Sequence, residues 1–458
     1  MSASVTAPSA RMRRRTTLVS GLGGYIDAGS IVAGSAGLAL WAQEFGLGGT
    51  AVGLLGAISS NAISAGIGAL VGGYLCDRYG RKRVFTSNLL VYMFGTLWLI
   101  GAVSGWMLFV GYVIVGLAVG SDVPASWSMM SETARDDKRG ATGGVMQLLW
   151  STGPMVVLTL GLLVQPLGML GVRLVFLHLL VLAALTYLGR RSIAESARWE
   201  SARAARAEGS AGAGTGSGVG AGSGPAAGGE PGFLGQMREL LHRRSVKAIA
   251  VCTGVYLFWN LMAGTNGFYQ PYLLKTFGSQ SDAMSVGLSV LGWGVQVLGT
   301  GAVFMLLADR VNRRALFGIS ILVQLAGFAV IALMALDTGT ALAYILLVNI
   351  GMSFSAQHFF QLWSSELFPA RLRSSAQGLV FAVVRIALGF WSFFVPVITA
   401  TGFQNLALIL MGFLLVSGVI GVLWGPDNRG RTLEEIEERY GWRREEAEAP
   451  APAPEAAR

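Results

Sequence analysis

The sequence predicts an all-α membrane protein in which twelve transmembrane helices form two six-helix bundles. Of the 458 residues, 53% are hydrophobic and only 13% are charged, about half the charged fraction of a typical soluble domain. Apolar runs of about 20 residues, the length of a helix that crosses a bilayer, recur along the chain. A Gly- and Ser-rich stretch near the middle leaves six of these runs on either side.

The twelve predicted spans follow one another with short polar segments between them. They cover residues 17–42, 51–76, 84–103, 107–129, 141–164, 170–189, 246–273, 284–307, 315–335, 339–364, 374–400 and 404–424. The first run is too long for a signal-peptide core, so it is predicted to remain as a span. The chain then divides into a tail (1–16), a first bundle (17–189), a linker with a disordered Gly/Ser-rich middle (190–245), a second bundle (246–424) and a second tail (425–458).

Positive charge lies almost entirely on one side of the predicted membrane. All but three of the 34 Lys and Arg residues fall in the tails, the linker and the loops on that side; the exceptions are Arg173, Lys275 and Arg385. Because basic residues are retained in cytoplasmic segments, we expect both termini to be cytoplasmic and the chain to lie in the plasma (inner) membrane. This rule accounts for the net charge of +9, which therefore does not indicate nucleic-acid binding.

The sequence carries no pattern typical of an enzyme. Its three His residues and two cysteines, Cys76 and Cys252, offer no metal-ligand spacing and no disulfide framework. There is no Gly-x-Ser-x-Gly turn, and the Gly-rich segment 209–229 lacks the Lys of a phosphate-binding loop. The sequence thus predicts no catalytic residues, no metal and no cofactor.

A charged loop follows the second predicted span. It reads Gly73-Tyr-Leu-Cys-Asp77-Arg78-Tyr-Gly80-Arg81-Lys82. This G-x-x-x-D-R-x-G-R-K string resembles the signature loop of the major facilitator superfamily of transporters. A degraded copy with Asp309, Arg310 and Arg313 follows the eighth span, and Met305 stands where the first copy has Gly73. Recurrence at the equivalent place indicates an internal duplication.

Four further strings resemble the sugar-porter branch of that superfamily. They are Ser131-Glu132 with Arg139-Gly140, Glu195-Ser196-Ala-Arg198-Trp199, Ser365-Glu366-Leu-Phe368-Pro369-Ala-Arg371-Leu-Arg373, and Pro426-Asp427-Asn428-Arg429-Gly430-Arg431-Thr-Leu433-Glu434-Glu435. In the second string, alanines replace both family prolines. The resemblance implies a two-bundle transporter with a solute site between the bundles.

Acidic and basic residues alternate in these strings at the cytoplasmic ends of predicted helices. Such pairs can latch the bundles together while the cytoplasmic side is closed, since alternating access requires an element with two stable states. We expect Glu132 to pair with Arg78 or Arg81, and Glu366 to pair with Arg310 or Arg313. The alternative is that these residues only cap helices and set the topology.

Three charged residues fall well inside predicted spans: Asp27, Asp122 and Arg385. A charge at membrane depth is costly and indicates function, so each is expected to face a central cavity. A carboxylate in such a cavity can exchange protons near neutral pH, so either aspartate could carry a proton in with the solute. The alternatives are that Asp122 caps a half-helix beside Pro124, or that one aspartate neutralises Arg385.

The surroundings of the two aspartates add to this expectation. Asp27 lies in a string similar to the sugar-porter G-Y-D-x-G, and the resemblance implies a protonated aspartate that pairs with an arginine in span four. Tyr112 occupies the position of that arginine, so the usual pair is absent. Asp122 lies in a string that resembles the fourth span of proton symporters for phosphate and organic metabolites. Both residues are therefore candidate proton-coupling sites.

Arg385 is the clearest departure from the sugar-porter pattern, because it falls where those proteins have an Asn-Trp pair. A guanidinium favours carboxylate or phosphate, so Arg385 points either to an acidic solute or to an internal salt bridge. The resemblance implies solute contacts for Gln147 in span five and for Asn260 and Asn266 in span seven, where Leu261 replaces a family Gln. Further predicted solute contacts are Gln270, Gln357, His358 and Gln361. For His358, a proton site and a structural hydrogen bond remain alternatives.

The sequence therefore predicts a secondary active transporter for a small polar solute: a sugar, polyol or sugar-acid-like metabolite. Coupling to protons and function as a monomer in the lipid bilayer are expected. The main alternative is an uptake or efflux carrier for an organic anion or other small organic molecule. A non-transporting nutrient sensor is a third reading, although such a sensor would be expected to carry a larger structured tail.

Overall fold

The structure is a computed structural model that describes residues 9–58, 62–201, 203–204, 232–278, 281–335, 337–440 and 442. Every regular element in these ranges is helical. The Gly/Ser-rich middle predicted for the linker lies outside the described residues. The first half contains α1 (Ala10–Glu44), α2 (Gly49–Ile58), α3 (Ile63–Tyr79), α4 (Arg81–Ile100), α5 (Gly105–Thr133), α6 (Arg139–Val164) and α7 (Met169–Arg191).

The second half repeats this order after a short amphipathic helix. Its elements are α8 (Phe233–Leu240), α9 (Arg243–Gly278), α10 (Asp282–Gly299), α11 (Arg313–Leu333), α12 (Thr338–Met352), α13 (Ala356–Glu366), α14 (Arg373–Ala400), α15 (Phe403–Trp424) and α16 (Leu433–Arg439). Helix α10 continues through a π-helical turn, Thr300–Phe304, to Leu307. The prediction of an all-α fold is confirmed.

Eleven helical stretches in the described chain are long and apolar enough to cross a membrane, and they match the second to twelfth predicted spans. The first predicted span corresponds to α1, which is 35 residues long and packs against α5, α6 and α7. Its hydropathy is lower because Asp27 and several Gly and Ser residues lie within it. Helix α1 begins at Ala10, inside the predicted tail, where the Ser9 side chain caps it.

The two halves meet along two pairs of helices: α3 with α14, and α6 with α10. Glycines allow the backbones of α3 and α14 to touch. A Cβ at Gly73 would collide with the Ser374 carbonyl, and one at Gly378 would collide with the Ala69 carbonyl. The family glycine of the signature loop is therefore needed for the contact between halves rather than for the turn.

Aromatic residues fill the space between helices within the second half. The Tyr256 and Phe360 rings stack with centroids 4.3 Å apart, and Phe317 meets Trp363 edge to face at 5.8 Å. Buried Trp127 of the first half packs against Phe360, which links this core to α5. Offset and edge-to-face aromatic pairs of this kind stabilise packed helices beyond their burial.

Candidate functional site

A central cavity lies between the two halves. Helices α1 and α6 of the first half line it, together with α9, α10, α12, α13 and α14 of the second. Three of the predicted solute-contacting side chains reach its wall: Asn260, Gln357 and Arg385. The aromatic part of the wall consists of Trp150, Trp259 and Trp293.

Asp27 stands at the edge of this cavity and is 7% exposed. Its carboxylate accepts a hydrogen bond from Nε1 of Trp150 at 3.1 Å, and Trp150 itself lines the cavity. The buried Tyr112, which occupies the family arginine position, packs edge to face against Trp41 at 5.9 Å. Tyr112 therefore belongs to the core, and the charged side chain of the cavity wall is Arg385 of the other half.

The prediction that Asp122 faces the central cavity is wrong. Its carboxylate forms a bidentate ion pair with Arg190, one arm of which measures 2.8 Å. Arg190 also donates to the Phe85 carbonyl at 2.5 Å, and its guanidinium lies 3.6 Å from the centre of the Phe85 ring. Asp122 thus neutralises a buried arginine within the first half and braces α4, α5 and α7.

Gln147 makes a contact between halves. Its amide nitrogen donates to Oε1 of Gln361 at 2.7 Å, and both side chains are buried. Gln361 in turn donates to the Met146 sulfur at 3.3 Å. Gln361 and His358 line a second, smaller cavity beside Arg139, so neither is part of the central cavity wall.

The remaining predicted solute contacts lie within the second half. Asn266 accepts a hydrogen bond from the Tyr344 hydroxyl, which ties α9 to α12. Gln270 is buried, and its amide nitrogen has no hydrogen-bond partner among the described residues. Neither side chain lines the central cavity, so the sequence overestimated the number of residues that the cavity brings together.

One end of the molecule is closed by buried charges, and we call it the arginine-rich end after Arg81, Arg139, Arg313 and Arg373. The first ionic cluster consists of Asp77, Arg81, Glu132 and Arg373. The Glu132 carboxylate forms ion pairs with two arginines: Arg81 of its own half, at 3.3 Å, and Arg373 of the other half, at 2.9 Å. Asp77 lies 3.0 Å from Arg81 and accepts the Ser375 backbone N–H at 2.7 Å, at the start of α14.

The second ionic cluster consists of Asp309, Arg313, Glu366 and Arg139, and it repeats this plan with the halves exchanged. The Glu366 carboxylate forms ion pairs with Arg313 of its own half, at 2.8 Å, and with Arg139 of the other half, at 3.1 Å. Asp309 lies 3.6 Å from Arg313 and accepts the Gly140 backbone N–H at 2.9 Å, at the start of α6. Each aspartate therefore caps a helix of the opposite half, as favoured by the helix dipole.

Of the two partners predicted for each glutamate, the structure places Arg81 and Arg313 in contact. Arg78 instead contacts the Tyr74 hydroxyl, and the Arg310 backbone carbonyl accepts from Arg429 at 3.0 Å. The alternatives failed because the side chains at 78 and 310 stand outside the helix interface, where Arg310 is exposed.

Other predicted loop residues hold the loops and helices around the two clusters. Glu195 accepts the Lys82 backbone N–H at 3.1 Å at the start of α4. A side chain at Gly80, where φ is +106°, would lie 2.5 Å from that same carboxylate. Arg198 pairs with Glu434 at 3.1 Å. The further pair, in α8 and the loop before α14, is Arg371 with Glu239.

The first cluster has an outer acidic neighbour, Glu437 of α16, whose carboxylate lies 3.4 Å from Arg373. Burial raises the pKa of Glu437 above its ordinary value, and the nearby Arg373 opposes that shift. Gln236 of α8 bridges the two halves here, because its amide donates to the Ser375 hydroxyl at 2.8 Å and to Asp77 at 3.4 Å.

Sequence reasoning missed two structural residues: Arg190, which pairs with Asp122, and Gln236, which contacts Asp77 of the first cluster. Arg190 was assigned to the linker because the sixth span was predicted to end at residue 189, yet α7 continues to Arg191 and buries Arg190. A basic residue one step beyond an apolar run, with an aspartate inside a neighbouring span, is the signal that could have found this pair. No comparable signal marks Gln236, which lies in α8, within the predicted linker.

Comparisons with known proteins agree on one family. The model described as sugar (and other) transporter matches residues 48–440. Over 434 residues the chain is 41% identical to the minor myo-inositol transporter IolF of Bacillus subtilis (strain 168), covering 93% of this chain and 94% of that one. Over 417 residues it is 26% identical to the glucose transporter GlcP of Staphylococcus epidermidis (strain ATCC 12228 / FDA PCI 1200), covering 85% and 90%.

Among solved structures, the fold resembles that of the proton:xylose symporter XylE bound to 6-bromo-6-deoxy-D-glucose. The TM-score is 0.78 at 17% sequence identity, over 94% of this chain and 100% of that chain. XylE is described there as a member of the major facilitator superfamily. The predicted fold and the predicted resemblance to sugar porters are therefore confirmed.

Proposed function

Because the chain belongs to the sugar (and other) transporter family, we propose that its solute is a polyol or sugar, of the class of inositols, carried together with a proton. The protein is a multi-pass membrane transporter and not an enzyme. The observation that carries the proposal is the central cavity, which both halves line and which combines amide, guanidinium and indole groups.

The cavity wall suits a hydroxylated ring. Asn260 is 4% exposed, and its Oδ1 has no hydrogen-bond partner among the described residues. A solute hydroxyl can satisfy this acceptor, and Gln357 offers both a donor and an acceptor nearby. The indole rings of Trp150 and Trp293, whose centroids are 5.8 Å apart, can cover the apolar face of the ring.

The two ionic clusters support alternating access. Each joins the halves at the arginine-rich end through one arginine, Arg373 in the first and Arg139 in the second. Separating the halves at this end breaks both contacts and leaves buried charges to be hydrated, so the closed state is a distinct state. The arginine-rich end is the cytoplasmic side under the positive-inside rule. Both chain termini then lie in the cytoplasm, the protein sits in the plasma membrane, and a single chain is sufficient for transport.

Of the two candidate aspartates, Asp27 is the one suited to bind the coupled proton. It accepts a hydrogen bond from a cavity-lining indole, and Arg385 of the opposite half places a positive charge in the same cavity wall. Asp122 is occupied by Arg190 in its own half. Protonation of Asp27 removes a negative charge from the cavity and so lowers the free energy of closing the cavity around the solute.

The second candidate function is transport of an organic anion, which Arg385 favours. Arg385 is 3% exposed and lines the cavity, and its guanidinium lies 4.6 Å from the Phe381 ring centre. A carboxylate on the solute would be attracted to this guanidinium. With a neutral polyol as solute, Arg385 would serve as the counter-charge of Asp27. The two functions therefore assign different roles to Arg385.

A thermal-shift screen separates the two candidates. Purified wild-type protein and Arg385→Ala are compared with neutral sugars and polyols in one panel and small organic acids in the other. Stabilisation by a polyol that persists in Arg385→Ala supports the proposal, because Asn260 and Gln357 remain. Stabilisation by an acid that disappears in Arg385→Ala overturns it in favour of the anion carrier. Arg173→Ala, outside the cavity wall, is the control for loss of an arginine.

Proton coupling is tested separately in proteoliposomes. The uptake driven by an inward proton gradient is expected to fall to the level of facilitated diffusion in Asp27→Asn, while equilibrium exchange of the solute continues. Gradient-driven accumulation that persists in Asp27→Asn would remove Asp27 from the coupling scheme.

A further inference from the structure

An exposed basic surface lies at the arginine-rich end of the first half, where α1, α4 and α7 meet. One arginine from each helix forms it, and we call these three the outer arginines: Arg15, Arg83 and Arg191. All three are exposed, and none of them forms an ion pair with an acidic side chain of the described chain. Positive charge that is held on packed helices without a counter-charge attracts an anion.

Beneath this surface, the buried Arg190 shows how close the three helices come. Its guanidinium donates to the Phe85 carbonyl of α4 at 2.5 Å and to the Val19 carbonyl of α1 at 3.5 Å. The backbones of α1 and α7 also approach closely, since a Cβ at Gly189 would lie 2.9 Å from a methyl group of Val19. The ends of α1, α4 and α7 therefore form one junction.

The outer arginines stand around this junction. Arg15 precedes Val19 by one helical turn, and Arg83 precedes Phe85 by two residues. Arg191 directly follows the buried arginine that joins the helices. Because α7 packs against both α1 and α4, Arg191 lies between the arginines of the other two helices. One ligand at Arg191 can thus reach all three helix ends.

An exposed apolar stripe runs along each of these helices and ends at its outer arginine. The apolar members are Leu90, Phe94 and Leu97 on α4, Leu185 and Leu188 on α7, and Leu18 on α1. Residues three, four or seven apart share one face of a helix, so Arg83 is in line with Leu90, and Arg191 is in line with Leu188. Acyl chains can lie along such stripes while the guanidinium groups stay at the level of the lipid head groups.

The carboxylates nearest to this surface are already engaged. Asp122 pairs with Arg190 in the layer beneath. Glu195, which follows α7, accepts the backbone N–H groups of Lys82 and Ser196 at 3.1 and 2.9 Å and so caps the start of α4. The outer arginines are therefore available to an anion from outside the chain.

The chemistry of the surface favours a lipid phosphate. Guanidinium groups bind phosphate oxygens through parallel N–H···O hydrogen bonds, and basic residues at a membrane surface attract anionic lipids. A soluble phosphate would use the charge but leave the apolar stripes unused. An anionic phospholipid uses both, because its phosphate and its acyl chains are joined in one molecule.

We propose that the outer arginines form a binding site for an anionic phospholipid. Its phosphate lies against Arg191 between Arg15 and Arg83, and its acyl chains cover Leu188 and Leu90. The bound lipid joins α1, α4 and α7 from the membrane side, as Arg190 joins them from within the protein. This inference goes beyond the proposed function and does not depend on the identity of the solute.

Native mass spectrometry of the purified protein counts the lipids that remain bound. Wild type with added phosphatidylglycerol is compared with a variant that lacks the outer arginines: Arg15→Gln, Arg83→Gln, Arg191→Gln. The matched control loses three other exposed arginines at the same end of the molecule: Arg238→Gln, Arg310→Gln, Arg439→Gln. The affinity for phosphatidylglycerol is expected to fall at least about tenfold in the first variant, the effect of losing one charged hydrogen bond or more, and to stay at the wild-type level in the control.

Thermal unfolding provides a second measurement. Phosphatidylglycerol should stabilise the wild type and the control, whereas phosphatidylcholine and glycerol 3-phosphate should not. The variant without the outer arginines should unfold at the wild-type temperature in phosphatidylcholine, because these side chains form no ion pair, and should gain nothing from phosphatidylglycerol.

Three results would overturn the inference. Wild-type retention of phosphatidylglycerol in the variant without the outer arginines would show that the lipid does not bind there. An equal loss of affinity in both triple variants would show only a general attraction between surface charge and acidic lipid. Stabilisation by glycerol 3-phosphate as strong as that by phosphatidylglycerol would indicate a site for a soluble anion.

Discussion

The two halves of the molecule build the same ionic cluster at the same end but bury it to different depths. In the first cluster the side chains of Asp77, Arg81, Glu132 and Arg373 are all 0% exposed. In the second cluster Asp309 is 20% exposed, and Arg139 also binds Asp136, which is 40% exposed. The same arrangement of charges is therefore a fully buried contact in one half and a partly hydrated contact in the other. We expect the first cluster to dominate the closed state.

The halves also differ in how each braces its own helices. The first half uses the ion pair of Asp122 and Arg190. The second half uses a neutral chain, in which Trp259 donates to Gln324 at 3.0 Å and Gln324 donates to the Ser355 hydroxyl at 2.8 Å. Removing one partner of the ion pair leaves a buried charge without its counter-charge, which costs more stability than the loss of hydrogen bonds in the neutral chain.

The largest effect is expected when a central glutamate is neutralised. Glu132→Gln leaves Arg81 with only Asp77 and Arg373 with only Glu437 as acidic partners, in a cluster whose arginines are fully buried, and should destabilise the closed end by about 3–5 kcal/mol. Glu366→Gln should cost about 1–3 kcal/mol, because Arg313 and Arg139 keep partly hydrated partners in Asp309 and Asp136. Opening of the arginine-rich end is measured with a Ser128→Cys variant. Ser128 is buried and contacts Gln377 of the other half, so a soluble thiol reagent reacts with the cysteine only when this end opens. Equal reactivity in the two variants would end the distinction between the clusters.

The next largest difference is expected between the ion pair that joins helices in the first half and the neutral hydrogen-bond chain in the second half. Asp122→Asn leaves Arg190 buried without a counter-charge and should lower the stability of the folded protein by about 3 kcal/mol. Gln324→Met removes the neutral chain and should cost about 1–2 kcal/mol. Unfolding in detergent is the measurement. Asp122→Asn should also retain proton-driven accumulation in proteoliposomes, unlike Asp27→Asn; loss of that dependence would return Asp122 to the coupling scheme.

A smaller difference is expected for the aspartates that cap helices of the opposite half. Asp77→Asn should destabilise the closed end by about 1–2 kcal/mol, because Asp77 caps α14 and also pairs with buried Arg81. Asp309→Asn should cost less than about 1 kcal/mol, because Asp309 is more hydrated. Both are measured by the reactivity of the same cysteine at Ser128. A larger effect at Asp309 would reverse the ranking of the two clusters.

The smallest effect concerns the outer residue of the first cluster, Glu437. Its pKa is raised by burial from the ordinary value of 4.5, so the folded protein binds more protons than the unfolded chain between the two pKa values. Stability due to this group therefore falls as pH rises through that window. Glu437→Gln should be as stable as wild type at neutral pH within about 1 kcal/mol, and should show a weaker pH dependence above pH 4.5. A strong loss of stability at neutral pH would show that Glu437 is a full member of the first ionic cluster.

The sequence predicted the fold and the members of the ionic clusters well, for physical reasons. Spans are local runs of hydropathy, and the loops that carry Asp77 and Asp309 repeat with the same spacing. The helix ends bring Glu132 to Arg81 and Glu366 to Arg313, two of the predicted pairs. These features depend on short-range pattern and on one duplication, so they can be read without knowledge of the packing.

The solute site was predicted less completely, because its membership depends on which side of each helix faces the cavity. Asn260, Gln357 and Arg385 reach the central wall, but Asn266 turns to Tyr344 and Gln147 turns to Gln361. A polar residue inside a span satisfies its hydrogen bonds with whatever the neighbouring helix presents, and that neighbour is set by the tertiary fold. Asp122 shows the same limit, since its partner lay one residue beyond the predicted span.

In the proposed mechanism, the two ionic clusters hold the arginine-rich end closed until solute and proton release it. Spin labels on cysteines at Asp137 and Val311, exposed positions on opposite halves at this end, allow the distance between the halves to be measured by double electron–electron resonance. We expect one short distance between the two labels in the wild type. A second, longer distance should appear with myo-inositol at acidic pH and in the Glu132→Gln, Glu366→Gln double variant without solute. A single unchanged distance in that double variant would contradict the claim that these clusters close the molecule.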